Sequence, residues 1–111
     1  MIAIVDLGKM KDISQVAINF LRDQRSWIFL PTEVEFLHSA DGRNFKKIKT
    51  WKAPKPFNTD KVVMESVTAA SNINVRYIKV VAKKMGALPT WHLGHPHDGR
   101  AWIFVDEIVI K

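Results

Sequence analysis

The chain has 111 residues, no cysteine and a formal charge of +6, from 17 basic and 11 acidic residues. This length predicts one domain that buries its core without disulfides, and no apolar run is long enough for a transmembrane helix. The basic residues are dispersed rather than clustered, which indicates solvated strand faces and loops and no nucleic-acid partner. No signal peptide is visible, and the start inside a strand-like segment predicts a module of a longer protein.

Short segments rich in Val, Ile, Phe and Thr alternate with turn residues, which predicts an all-β sandwich of about seven antiparallel strands. The first strand covers residues 2–7 and ends at Gly8. Residues 12–22 also fit a helix capped by Asp12, but their β-branched content favours a strand. Four apolar residues mark this second strand: Ile13, Val16, Ile18 and Phe20.

Strong turn signals frame the middle of the chain. A third strand at 32–39 alternates apolar and acidic side chains. The pair Asp41-Gly42 predicts a turn into a fourth strand at 45–51. Residues 53–58 contain two prolines, which cannot join a central ladder, and are predicted to form a loop.

The C-terminal part is predicted to contain two strands, at 62–68 and 75–82, then a long loop at 85–100 and a final strand at 101–110. This last run is apolar at both odd and even positions, which predicts a central strand covered on both faces. Only Asp106-Glu107 interrupts it. Such a carboxylate pair must be hydrogen-bonded, near an edge or bound to a cation, because burying a bare charge is costly.

No catalytic constellation is found in the sequence. There is no nucleophile elbow and no glycine-rich phosphate loop. No carboxylates are spaced to face each other across a cleft. We therefore expect no catalytic residues in this domain.

A group of possible metal ligands lies in the long loop. His92, His95, His97 and Asp98 fall within seven residues. Gly94 and Pro96 break the helical spacing that would converge the imidazoles, so a solvated loop is the favoured interpretation. Glu107 would give calcium a single ligand where six to eight are needed. We expect no metal site.

Two loops carry tryptophan beside polar side chains, a combination that can stack on a sugar ring and hydrogen-bond its hydroxyls. The alternative is that both tryptophans close the ends of the sandwich as core. For Trp27, next to Ile28 and Phe29, the two interpretations are balanced, whereas exposure is favoured for Trp91. The predicted carbohydrate-binding residues are Trp91 and His92 in the 85–100 loop and Trp27, Arg22, Asp23 and Arg25 in the 22–31 loop.

Four motifs occur in an order that resembles the discoidin-like module, also called the coagulation factor 5/8 type C domain. They are Val5-Asp6-Leu7-Gly8, Ser39-Ala-Asp41-Gly42-Arg-Asn-Phe45, Val75-Arg-Tyr-Ile-Lys-Val80, and Trp102 with Val105-Asp-Glu-Ile108. This resemblance implies an antiparallel jelly-roll β-sandwich of the galactose-binding-like type. Residues 25–31, 91–94 and 102–107 also resemble the C-terminal module of β-N-acetylhexosaminidases (chitobiases) from Bacteroides-type gut bacteria.

The resemblance implies that residues 1–111 form a C-terminal, non-catalytic carbohydrate-binding or accessory module of a secreted, periplasmic or cell-surface glycosidase. The implied partners are a glycan containing N-acetylhexosamine or galactose and the catalytic domain of the parent chain. Family members usually begin with a further strand and a loop that often holds a structural calcium. This sequence begins after both, so we expect a missing first strand and no cofactor.

Two other functions fit the same sequence. One is a structural spacer that packs on the catalytic domain and binds no ligand. The other is a discoidin-like protein- or membrane-binding module that uses Trp27, Phe29 and the basic residues. Exposure discriminates among the three: solvent-facing tryptophans at one concave end favour sugar, buried ones favour the spacer, and a convex apolar spike ringed by lysines favours a membrane.

Overall fold

Five antiparallel strands carry most of the regular structure in this computed structural model, which describes residues 1–95 and 99–111. They form one hydrogen-bonded sheet in the order β3-β2-β4-β1-β5. A 3-10 turn at Gln24–Ser26 follows β1. The all-β, antiparallel prediction is confirmed, and no described helix is long and apolar enough to cross a membrane. The strands are β1 Ile2–Arg22, β2 Glu33–Ser39, β3 Lys46–Lys52, β4 Val63–Lys83 and β5 Val105–Ile110.

Strands β1 and β4 are each 21 residues long and replace four of the shorter predicted strands. At the predicted breaks, the β1–β4 ladder shifts register instead of ending, once between Asp6 and Lys11 and once between Ile13 and Gln15. Gly8, with φ of 84°, lies in the first irregularity. A bulge and a turn both favour glycine and polar residues, so the sequence pattern did not distinguish them.

The two long strands pass through both layers of a β-sandwich. The first part of β1 pairs with the second part of β4, which also pairs with β2, whereas the rest of β1 pairs with β5. Buried side chains from both parts form one core, so the two parts of the sheet face each other across it. The core residues are Ile13, Val16, Ile18, Phe20, Val34, Phe36, Val67, Ala69, Val75, Ile78, Val80 and Ala82.

The prediction of a central final strand is wrong. Strand β5 lies at the edge of the sheet and pairs only with β1. Its register shifts against Ile18–Phe20, and the exposed Asp106 and Glu107 lie at that bulge. The extra residue in β5 changes the inward-facing positions from odd-numbered to even-numbered ones. Val105 before the bulge and Ile108 after it therefore both pack on the core. The apolar pattern at odd and even positions therefore reflects a bulge and not two covered faces.

The predicted Asp41-Gly42 turn joins β2 to β3, and a dense hydrogen-bond network stabilises it. The Asp41 Oδ1 accepts from the Ser39 hydroxyl and from the amides of Arg43 and Asn44, at 2.8, 2.8 and 2.9 Å. The buried Ser39 hydroxyl in turn accepts from the Gly42 amide at 2.9 Å. The pKa of the Asp41 carboxyl lies well below its ordinary value, chiefly because the Asn44 and Arg43 amides donate to the charged form.

This network predicts an acid-sensitive contribution to stability. Because the folded pKa of Asp41 is lowered, its contribution is present above the unfolded pKa of about 3.9 and is lost as pH falls toward the folded value. Urea midpoints measured between about pH 5 and about pH 2 should fall further for the wild type than for Asp41→Asn. The pKa values of Asp6 and Glu33 are also lowered. Both groups titrate in both proteins, so their contributions to stability cancel when the two pH profiles are compared. Identical pH profiles would contradict the prediction.

Candidate functional site

Three loops meet at one end of the sandwich and enclose a groove of about 540 Å³. They follow β1, β3 and β4. Glu33 pairs with both Lys52 and Lys83, so the ends of β3 and β4 lie together at the start of β2, and the 22–31 loop connects the end of β1 to that same start. Residues of the 22–31 and 85–100 loops meet here, and residues 58–60 of the loop after β3, 53–62, which was predicted as a loop but not as part of a site, complete the groove. The residues that line this loop groove are Gln24, Arg25, Trp27, Asn58, Thr59, Asp60, Trp91, His92 and Leu93.

Gln24 ties the three loops together, and sequence reasoning gave it no role. Its side chain is buried, donating from Nε2 to the Phe57 carbonyl at 2.9 Å and accepting from the Thr59 amide at 3.1 Å. Its backbone carbonyl lies 2.6 Å from Nε2 of His92. One amide side chain therefore satisfies both polar groups of the 53–62 loop that face it, as buried polar atoms require.

We expect Gln24→Ala to loosen the groove, since it leaves the Phe57 carbonyl and the Thr59 amide without their partner. The free energy of unfolding should fall by about 1–2 kcal/mol, and hydrogen exchange at the Thr59 amide should accelerate. Gln15→Ala, on β1 away from the loops, is the matched control and should leave Thr59 exchange unchanged. Wild-type exchange at Thr59 in the Gln24 variant would show that the loop is held by other contacts.

His92 forms part of the groove wall. Its Nδ1 accepts from the Gly94 amide at 3.0 Å, which leaves the proton on Nε2 to donate to the Gln24 carbonyl. Its ring meets Trp27 edge to face, with centroids 6.1 Å apart. Both ring nitrogens are engaged by backbone, so His92 shapes the groove and offers no free nitrogen to a ligand.

Trp27 is half-buried and closes the 3-10 turn with a left-handed backbone, φ 64°. Its indole packs tightly against the backbone of Gly94 and Gly99. A Cβ added at either glycine would lie 2.7 or 2.9 Å from the ring. Glycine is therefore required at both positions for the tryptophan to fit, and only part of the indole lines the groove.

Trp91 is 38% exposed, and one side of its ring packs against other rings of the domain. Its ring tilts against the buried Phe29, with centroids 6.1 Å apart, and against His92 at 6.2 Å. An aromatic ring that is held from behind and open in front can stack on a flat apolar face of a ligand with little loss of side-chain entropy.

Charged and amide groups line the same groove as the aromatic rings. Arg25 and Asp60 form a two-contact ion pair, with Nε–Oδ1 at 3.1 Å and Nη2–Oδ2 at 3.2 Å, and both side chains are mostly exposed. With Asn58, they supply donors and acceptors that a polar ligand can share.

The six residues predicted from the sequence are divided by the structure. Arg25, Trp27, Trp91 and His92 line the loop groove, and Arg22 and Asp23 do not. Asp23 accepts from the Ser26 hydroxyl at 3.0 Å. Arg22 lies over Phe57, with its guanidinium carbon 5.3 Å from the ring centroid, and lines a separate pocket. Residues 58–60 form a polar run, and this run is the feature of the sequence that could have indicated that the third loop belongs to the site.

Of the four possible metal ligands in the long loop, the structure describes His92 and His95. His97 and Asp98 lie outside the described residues. Within 1–95 and 99–111, no three His, Asp or Glu side chains converge in a way that could hold a metal ion. His95 instead directs Nδ1 to the Leu88 carbonyl at 2.7 Å.

The fold and the groove define the class of this protein as an antiparallel β-sandwich module whose loops enclose a groove at one end. The F5/8 type C domain matches residues 3–107, and the chain belongs to that family. The discoidin-like resemblance of the sequence is thereby confirmed. A comparison with curated protein sequences gives no match.

The fold is similar to that of a solved structure with a TM-score above 0.5, and a second structure is similar at a lower score. The C-terminal domain of a chitobiase from Bacteroides fragilis is similar at 22% identity and a TM-score of 0.55, covering 99% of this chain and 61% of that one. CBM32-1 from a family 31 glycoside hydrolase of Clostridium perfringens shows 24% identity and a TM-score of 0.49, covering 75% of this chain and 58% of that one. The chain thus spans less than two thirds of either structure.

Proposed function

We propose that this domain is a non-catalytic carbohydrate-binding module whose loop groove holds a sugar ring against Trp91. The observation that carries the proposal is the position of Trp91, supported by Phe29 and open to solvent, in a groove that the Arg25–Asp60 pair also lines. An apolar face with hydrogen-bonding groups around it matches a pyranose, which has flat C–H patches and a hydroxyl rim. Family membership is consistent with this role.

The burial of the aromatic residues argues against the membrane-binding alternative. Phe29 is 2% exposed, and Trp27 is half-buried behind two glycines. Neither ring therefore projects into solvent, as insertion of Trp27 and Phe29 into a bilayer would require.

We propose further that the parent protein is a secreted, periplasmic or surface glycosidase resembling a β-N-acetylhexosaminidase, and that the glycan contains N-acetylhexosamine or galactose. One structural neighbour is the C-terminal domain of a chitobiase. In this proposal the module delivers the catalytic domain to its substrate.

Since no acid/base pair was recognised, the isolated chain should release no nitrophenol from an N-acetylglucosaminide, and any release by pure protein would contradict its non-catalytic assignment.

The proposal is tested by titrating the chain with N-acetylglucosamine, galactose and short chitin fragments while following amide chemical shifts. A small polar ligand in a solvated groove should bind with a Kd on the order of 10⁻⁴ to 10⁻³ M. The shifts should fall on residues 24–27, 58–60 and 91–93. Shifts elsewhere would mean that the site is misassigned, and no shift at millimolar sugar would favour the structural spacer.

A second candidate role is packing against the catalytic domain. Trp102 and Phe104 immediately precede the edge strand β5 and are 62% and 50% exposed. Exposed aromatics beside a sheet edge are features that a neighbouring domain can cover. This contact is compatible with sugar binding, because neither residue lines the loop groove.

A further inference from the structure

A second pocket, distinct from the loop groove, lies between β1, the 53–57 segment and Met85, and we call it the proline pocket. Its volume is about 240 Å³. Gln24 separates it from the loop groove and lines both. The apolar wall residues are Phe29, Leu30, Pro31, Pro54, Pro56 and Met85.

The charged groups of this pocket are all positive. Arg22 and Lys55 line it, and no carboxylate is among the described lining residues. The Arg22 guanidinium lies over the Phe57 ring, 5.3 Å from its centroid. A cation beside an apolar wall favours an anion with an apolar body.

The hydrogen bonding of Arg22 also favours an anionic ligand. Its Nε atom is buried and has no hydrogen-bond partner among the described residues. That atom is covered by protein, whereas the two terminal Nη groups are not occluded and make no hydrogen bond among the described residues, so they can meet an acceptor supplied by a ligand. Guanidinium groups recognise carboxylates in particular, because their N–H fork matches the two oxygens.

The size of the pocket limits the apolar body. A dry apolar cavity of about 150 Å³ is known to hold benzene. A volume of about 240 Å³ therefore accommodates one ring with a short substituent. Sugars fit poorly, because the apolar walls leave most ring hydroxyls without a partner.

We propose that the proline pocket binds a small carboxylate with an aromatic or branched apolar body, with Arg22 as the carboxylate partner. This site is distinct from the loop groove, although Gln24 lines both. It gives the domain a second recognition surface for an aryl acid or an equivalent acidic, apolar substituent.

The test uses sodium phenylacetate as the probe and phenylacetamide, its neutral equivalent, as the matched ligand at equal ionic strength. Amide shifts should appear at residues 30, 32, 53, 55, 57 and 85, and the acid should bind at least about tenfold more tightly than the amide. Equal binding of acid and amide, shifts confined to 58–60 and 91–93, or no shift at millimolar acid would each overturn the proposal.

Variants assign the carboxylate partner. Arg22→Gln should reduce the preference for the acid to the part that Lys55 supplies, while its amide spectrum shows a folded sandwich. Arg25→Gln removes a cation of the neighbouring groove and should preserve the preference. If Arg22→Gln does not fold, the wild-type comparison of acid and amide still decides the proposal. A folded Arg22→Gln protein that keeps the full preference would overturn it.

Discussion

Trp91→Ala should weaken sugar binding by about tenfold or more and move it beyond detection in the same titration. Losing the stacking face should cost about 1–2 kcal/mol, and the wild-type affinity in an open groove is low. Stability should change little, because Trp91 is among the exposed residues of the domain. The measurement is an amide-shift titration of both proteins with the best ligand found for the wild type.

Trp102→Ala is the matched control, because it removes an exposed indole that does not line the loop groove. It should bind sugar as the wild type does. If Trp91→Ala keeps wild-type affinity, or if Trp102→Ala loses it, the sugar does not stack where we have placed it.

Gly42→Val should destabilise the fold by about 1–3 kcal/mol. The backbone at Gly42 has φ of 78°, a conformation that β-branched residues strongly disfavour. A Cβ there would also lie 3.1 Å from Cζ of Tyr77, so the new side chain meets the aromatic ring that covers the turn. The loss is measured as a shift in the urea midpoint.

Gly8→Val separates the effect of backbone strain from the effect of the contact with Tyr77. Gly8 has a similar φ of 84°, but nothing lies within 4 Å of a Cβ built on it. It should show the backbone strain alone and lose less stability than Gly42→Val. An unchanged melting temperature in the Gly42 variant would mean that the turn relaxes without cost, contrary to our argument.

Features encoded by neighbouring residues were the ones that sequence reasoning predicted well. The Asp41-Gly42 turn depends on one left-handed glycine and one side chain that bonds its own backbone, both visible in four residues. The alternation in β2 placed Val34 and Phe36 in the core correctly. Exposure of Trp91 followed from its polar neighbours.

The missed features depend on contacts between distant parts of the chain. Gln24 is buried because Phe57, Thr59 and His92 surround it, and nothing near it in sequence indicates this. The bulge at Asp106-Glu107 is defined by the partner strand, so the pattern alone suggested two covered faces. Arg22 was expected beside its neighbour Trp27, but the two side chains line different cavities.

The passage of β1 and β4 through both layers has a consequence for how the chain acquires its structure. Ile2 pairs with Val81 and Arg22 with Val63, so the central ladder closes long stretches of chain before it gains its contacts. Neither layer keeps its hydrogen bonds without the other, so denaturation should be a single cooperative transition with no half-melted species. Refolding should be slow for a domain of this size, and deleting either end of β1 should unfold the whole domain and not one layer of it.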